Sequence, residues 1–167
     1  MPGDEAYAHE AHARQMSPRL ARLMRASNRD IAVAMPIVAL MRAAVRVGAV
    51  LEHAVSPAGL TVPQFAVLME LAASPEGRLS LSEIGHRCLK SPPNVTAIVD
   101  RLESVGMVRR VRNDADRRVV VAEIADTGWD ALAAAAPRVA VAERSALAAL
   151  SDSDRAALTD PLDRVAR

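Results

Sequence analysis

Residues 109–124 have the sequence RRVRNDADRRVVVAEI, and this stretch decides the fold. The segments Val108–Arg112 and Val119–Ile124 are alternating or apolar and rich in β-branched residues, as strands are. The Asn and Asp residues between them are turn formers, because their short side chains can bond their own backbone. The pattern predicts a two-stranded hairpin. Because a hairpin alone is only marginally stable, it must be attached to a larger core.

Two short helices precede the hairpin, and each has a start signal. The segment Ser80–Glu83 is a capping box, and Ser91 followed by Pro92 is a cap with a proline in the first turn. Another capping box, Thr61–Gln64, opens the helix before them. The short turn Leu89–Lys90 separates the two helices, and Gly106 ends the second one. Two short helices on a tight turn, followed by a basic hairpin, are the order of a winged helix-turn-helix.

The rest of the chain predicts helices on both sides of this motif. Residues 1–29 form an N-terminal extension whose short basic helix should dock through Leu20, Leu23 and Met24. Residues 30–60 should hold a dimerisation helix, 61–125 the DNA-binding motif and 126–167 the C-terminal dimerisation helices, the last interrupted near Pro161. The predicted fold class is mainly α with a small β-hairpin wing: a winged helix-turn-helix flanked by N- and C-terminal dimerisation helices.

The first dimerisation helix, from about Met35 to Val55, is apolar on more than one side, so one face should be buried by a partner subunit. The composition is 51% apolar but only 2% aromatic, which favours a helical core of small and aliphatic side chains. The longest apolar run, Ile31–Met41, is too short to span a bilayer. We therefore expect a cytoplasmic protein with no membrane partner.

Charge is concentrated in the central motif. The formal net charge of the chain is +1, yet residues 87–118 hold eight Lys and Arg against four acids, a local charge of +4. Such a footprint indicates a polyanionic partner. Arginines on one small hairpin repel one another unless an anion lies nearby, and arginine suits phosphates and narrow minor grooves. We expect the wing arginines to meet a DNA backbone, with Asp116 holding Arg118 in a fixed pose.

The helix over Asn94–Val105 is the predicted recognition helix. Its apolar positions Val95, Ile98, Val99 and Leu102 should face the core, which leaves Asn94, Ala97, Asp100 and Arg101 outward and Thr96 at the flank. Asn and Arg can make bidentate contacts with base edges, whereas Asp100 should orient a nearby arginine. A solvated helix face is the alternative, and the wing argues against it. The predicted DNA-binding residues are Lys90, Ser91, Pro93, Asn94, Thr96, Ala97, Arg101, Arg112, Asp116, Arg117 and Arg118.

The segments NVTAIVDRLESVGMVRR and NDADRRVVV resemble the recognition helix and the wing of the MarR family of bacterial transcriptional regulators. The helix AGLTVPQFAVLMEL before the motif is also similar. The resemblance implies a homodimer on a pseudo-palindromic operator in double-stranded DNA, often released by a small phenolic or aromatic anion. It places such an effector between the dimerisation helices and the winged helix, where Arg42 and Arg46 are candidates; surface charge is an equally weighted interpretation of both.

Four departures from the family pattern matter. Ala125 replaces the usual capping Thr, which should move the helix cap to Asp126, and Ala97 replaces a frequent polar residue. A urate effector is disfavoured, since the extension has no Trp and Ala66 stands where that branch has an Asp. Cys88 lies inside the DNA-binding motif rather than where the peroxide-sensing members carry their cysteine, so it should be a buried small residue.

The histidines show no metal-ligand spacing, and the chain has no nucleophile or nucleotide-binding motif, so we expect no metal, no cofactor and no enzyme. The leading hypothesis is a DNA-binding transcriptional regulator, with repression as its expected mode of action. The alternative is a winged-helix protein–protein interaction module without DNA binding, which would have no need for arginines at the wing tip. A winged helix that belongs to an enzyme would need a second, cofactor-binding domain.

Overall fold

The computed structural model describes residues 17–27, 31–112 and 119–166. The chain forms two compact units, Met1–Arg46 and Val47–Arg167. The helices are α1 Pro18–Ala26, α2 Ile31–Val55, α3 Val62–Ala73, α4 Leu81–Arg87, α5 Pro92–Ser104, α6 Asp126–Ala146 and α7 Asp152–Ala166. A 3-10 turn, Ser56–Ala58, follows α2, and the strands are β1 Arg78–Ser80, β2 Val108–Arg112 and β3 Val120–Ile124. The elements from α3 to β3 form a winged helix-turn-helix, which confirms the predicted fold class.

The sheet has three antiparallel strands in the order β1-β3-β2. The predicted hairpin is confirmed: β2 pairs with β3 from Val108 opposite Ile124 to Arg112 opposite Val120. The third strand, β1, was not predicted and pairs with the other edge of β3. Its three residues place only Leu79 in the core, which is too short a stretch for an alternating pattern to be visible in the sequence.

Local side-chain signals set most helix ends. Both predicted capping boxes are present, Thr61 with Gln64 and Ser80 with Glu83. Hydrogen bonds from Ser80 hold the pKa of Glu83 below its ordinary value. At the end of α5, Gly106 has φ +74°, and the N–H groups of Gly106 and Met107 bond the carbonyls of Glu103 and Leu102. This left-handed turn closes the helix and starts β2.

Three predictions about the flanking helices were wrong. The cap of α6 is Ala125 itself, in extended conformation and without a side-chain bond, and Asp126 is the first helical residue. Helix α2 begins at Ile31 and contains Pro36. Helix α7 continues through Pro161. Pro161 removes the N–H that would bond the carbonyl of residue 157, but α7 is exposed throughout its described residues, so water can satisfy that group.

The core of the second unit lies between α3, α4, α5 and the sheet. Its largest fully buried side chains are Leu68, Leu71, Ile84, Leu102, Val55, Val67, Val95, Val99 and Val108. The start of α6 packs closely against the backbone just before β2 at Gly128, where a Cβ atom would clash with the carbonyl oxygen of Met107. No side chain fits at that point. The approach holds α6 to the same sheet that carries the wing.

Helix α2 is apolar but exposed. The segment Val33–Ala58 has a mean hydropathy of 1.7 with none of its most apolar window buried, and by length and composition it is sufficient to cross a membrane. The expectation that this region is too short to span a bilayer considered only the run Ile31–Met41. Two arginines interrupt the apolar run, but the helix continues beyond them. Arg42 and Arg46 would lie near the middle of such a span, where each arginine costs about 3 kcal/mol. Length and composition alone do not make α2 a membrane helix.

Candidate nucleic-acid interface

Helix α5 divides its side chains as predicted. Val95, Val99 and Leu102 are fully buried, while Asn94, Thr96, Ala97, Asp100 and Arg101 are exposed. Ile98 is half-buried and contacts both the core and the outer face. The hydroxyl of Thr96 donates a hydrogen bond to the carbonyl of Pro92 (3.1 Å), which leaves only its oxygen lone pairs for another partner. Ser91 caps the helix by position and makes no side-chain cap bond.

The turn between α4 and α5 is tight. Leu89 has φ +51°, a left-handed conformation that glycine usually provides, and its side chain is 70% exposed. The N–H of Lys90 bonds the carbonyl of Gly85 at 2.9 Å, and a Cβ atom at Gly85 would lie 3.1 Å from the carbonyl oxygen of Lys90. This geometry places the exposed Lys90 directly before α5.

A concave surface of about 430 Å³, here called the reading cavity, lies along the outer face of α5. Four predicted DNA-binding residues meet in it: Lys90, Asn94, Ala97 and Arg101. The remaining lining residues are Ile98 and, from the start of α3, Thr61, Pro63 and Gln64. The residues from α3 were not predicted to belong to the site. Their capping-box signal was recognised only as a helix start, and nothing local in the sequence shows that this start lies beside α5.

The wing is attached to α5 through Arg110. Its guanidinium contacts Asp100 (2.6 Å) and Glu103 (2.5 Å), and its backbone N–H bonds Glu103 at 3.2 Å. Burial lowers the pKa of Arg110, but the two carboxylates outweigh it and raise the pKa above the ordinary value. The predicted orienting role of Asp100 is confirmed. Arg109 pairs with Glu123 on β3 at 2.8 Å.

Two of the wing arginines thus have partners within the chain. Arg109 and Arg110 each pair with carboxylates, so their presence on the hairpin needs no external anion. Arg112 is the last residue of β2, and its side chain is not described. Asp116, Arg117 and Arg118 lie outside the described residues. The described part of the hairpin ends with Arg112 opposite Val120.

The two effector candidates, Arg42 and Arg46, are exposed and one helical turn apart on α2. A second cavity, of about 590 Å³, lies between the end of α2 and the second half of α6. It combines Arg138, His53 and Ser145 with the apolar side chains of Val50 and Val141. This cavity was not predicted, because its two walls are far apart in sequence and only the fold brings them together.

Cys88 is half-buried at the end of α4 rather than fully buried. Burial is the main cause that raises the pKa of its thiol, and the nearby Glu70 adds to the effect. A neutral thiol of this kind is a poor nucleophile. Within residues 17–27, 31–112 and 119–166, no three His, Cys, Asp or Glu side chains are arranged to hold a metal ion.

Comparison with known proteins relates this surface to transcriptional regulators. A family model described as the MarR family matches residues 58–119. The regulator MhqR of Bacillus subtilis is 32% identical over 107 residues, which are 64% of this chain and 72% of MhqR. Two further Bacillus subtilis regulators are 37% and 39% identical, and these alignments span only 41% and 44% of their length.

Solved structures of two regulators share the fold. Sco3205 of Streptomyces coelicolor, a MarR-family regulator crystallised with DNA, superposes with a TM-score of 0.75 and 27% identity over 80% of this chain and 85% of its own. The repressor CouR, bound to a 23-mer DNA duplex, has a TM-score of 0.70 and 36% identity over 77% of this chain and 90% of its own.

Proposed function

The chain belongs to the MarR family of transcriptional regulators, and from that premise we propose that it binds a pseudo-palindromic operator as a homodimer and represses transcription. The relatives are regulators, which agrees with the expectation that the chain is not an enzyme. The observation that carries the proposal is the reading cavity, an exposed concave face on which Asn94, Arg101 and Lys90 converge. These are donors and cations of the kind that contact base edges and phosphates.

Each part of the motif has a separate role in this proposal. Helix α5 enters the major groove with Asn94 foremost, because its opposite face is fully buried in the core and cannot turn outward. Lys90 and Arg101 contact phosphates on either side. The wing tip, with Arg112, Arg117, Arg118 and Asp116, follows the backbone or enters the adjacent minor groove. Arg109 and Arg110 hold the wing in place instead of contacting DNA.

A homodimer is proposed from the exposed apolar side chains of the flanking helices. On α2, Val33, Ile37, Met41 and Val45 are between 53% and 75% exposed. Trp129 and Val141 on α6, and Leu158, Leu162 and Val165 on α7, are exposed as well. Apolar surface of this extent marks an interaction site in a folded protein. A twofold dimer would place two recognition helices about one DNA turn apart on an inverted repeat.

The proposed effector is a small aromatic or phenolic anion, as the family resemblance implies. The solved relative PcaV of Streptomyces coelicolor, 30% identical, was crystallised with its natural ligand, so a relative binds a small molecule. Arg42 and Arg46 are the candidates for its carboxylate or phenolate. The cavity with Arg138 and His53 is a competing location. Release of operator DNA should be measured with a series of aromatic carboxylates on Arg42→Ala, Arg46→Ala and Arg138→Ala. Loss of release only in Arg138→Ala would reject the first location.

The test of DNA binding is a gel shift with the wild-type protein and the DNA upstream of its own gene, in competition with random duplex. We expect a retained complex that survives excess random DNA and that footprints as an inverted repeat. The alternative function, a protein-binding winged helix, predicts no retained complex even at low salt. Retention with no preference over random duplex would reject operator binding and leave only electrostatic attachment.

A further inference from the structure

The reading cavity has a polar rim but an apolar centre. Asn94 and Arg101 lie seven residues apart on one stripe of α5, and the cavity-lining residues between them are Ala97 and Ile98. Pro63, in the first turn of α3, lines the same cavity. These three side chains offer no hydrogen-bond donor or acceptor, although the recognition helix is otherwise suited to polar contacts with bases.

An apolar patch inside the major groove discriminates among bases. Guanine, cytosine and adenine carry no methyl group at their major-groove edges, whereas thymine presents a protruding 5-methyl group there. A polar base edge pressed against Ala97 and Ile98 would lose its water without gaining a partner, which is unfavourable. The methyl group of thymine would instead exchange water for apolar contact.

We propose that Ala97 and Ile98, with Pro63 beside them, form a pocket for the 5-methyl group of a thymine in each half-site. The proposal rests on the DNA binding proposed above and adds a specific base to it. The stripe from Asn94 to Arg101 is about 10 Å long at about 1.5 Å per residue, or about three base-pair steps of about 3.4 Å. The thymine should therefore lie one or two steps from the base pair that Asn94 contacts.

The experiment begins with selection of binding sites from random duplex by the full-length wild-type protein. Each half-site should contain an invariant thymine one or two steps from the position at which Asn94→Ala loses selectivity. Replacing that thymine by deoxyuridine in one half-site removes a single methyl group and nothing else. We expect about fourfold weaker binding, the factor that corresponds to burying one such group. Deoxyuridine at thymines outside the half-sites is the control and should leave the affinity unchanged.

A variant of the pocket provides the second measurement. Ala97→Gln covers the apolar centre with an amide that suits adenine, so the preference for thymine over deoxyuridine should disappear. Ala73→Gln, at an exposed position in the last turn of α3, should keep that preference. Specific binding in which deoxyuridine equals thymine at every half-site position would overturn the pocket and leave the proposed function standing. Failure to select any sequence would overturn both.

Discussion

At the residue scale, we expect different side chains to supply DNA affinity and base discrimination. Arg118, which the sequence predicts at the wing tip, should supply sequence-independent affinity, and Asn94, at the start of α5, should supply base selectivity. Because a phosphate contact releases counterions, Arg118→Ala should flatten the slope of log K against log[salt] by roughly one unit. It should weaken operator and random DNA alike. Fluorescence anisotropy over a range of salt concentrations measures both quantities.

Asn94→Ala is the matched measurement for the same division. The slope should stay nearly intact, because the amide carries no charge, while operator binding alone loses about 1–3 kcal/mol. Equal losses on operator and random DNA for both variants would reject the division of roles.

Leu89 affects the free energy of unfolding mainly through its backbone conformation and only slightly through its side chain. A non-glycine residue in the left-handed region costs about 1–2 kcal/mol. Since the Leu89 side chain is 70% exposed, little packing would be lost on its removal. Leu89→Gly should therefore raise the free energy of unfolding by up to about 1 kcal/mol, after the entropy that glycine adds to the unfolded chain. Urea denaturation measures the change, and a destabilised variant would contradict it.

At the residue scale, the sequence predicted those contacts whose two partners lie close together in the chain. The capping boxes at Thr61 and Ser80 specify helix starts through bonds only three residues long. The pairing of Arg109 with Glu123 spans fourteen residues across the sheet, so no local pattern revealed it. The wing arginines were for that reason all expected to meet DNA, although Arg109 and Arg110 have partners in the protein.

At the scale of elements, Arg110 joins the recognition helix to the wing. Arg110→Ala would leave Asp100 and Glu103 without their cation and free β2 to move relative to α5. These groups are partly exposed, so the cost in stability should be only about 1 kcal/mol. The loss of operator affinity should exceed this loss of folding stability, because the recognition helix α5 and the wing would no longer be fixed relative to each other.

Arg109→Ala is the matched control. It removes the same charge from the same strand, but its partner Glu123 lies on β3 and not on the recognition helix. We expect a smaller loss of operator affinity than for Arg110→Ala, measured at the same salt concentration. Equal losses would mean that net charge, and not positioning, explains the effect.

The elements that sequence analysis missed or misplaced are those whose stability depends on distant partners or on water. β1 exists because β3 offers it an edge, and its own three residues carry no signal. α7 passes Pro161 because it is exposed, while the usual rule for proline assumes an unsatisfied carbonyl. Only part of the lining of the reading cavity was predicted. The lining residues on α5 follow from helical spacing, whereas Thr61, Pro63 and Gln64 line the cavity only because α3 packs beside α5.

For the whole molecule, the exposed apolar surface of α2 predicts an obligate dimer. Val45 is 75% exposed, and Val45→Glu should yield monomers or aggregates at micromolar concentration because a carboxylate cannot be buried in an apolar interface without a partner. Val105→Glu, at a 57% exposed valine after α5, should leave the dimer intact. Sedimentation equilibrium distinguishes these results. A stable, folded wild-type monomer would refute the dimer.

Helix α2 also bears on whether subunits are exchanged between dimers after synthesis. If α2 forms the proposed dimer interface, a protomer that left its partner would expose a helix apolar enough for a bilayer, so subunits should exchange slowly. Each pair would then keep the partner it met at synthesis. Two differently tagged versions should form mixed pairs when translated together and remain sorted when purified separately and mixed. An inactive mutant subunit would consequently impair only those wild-type subunits that are translated together with it.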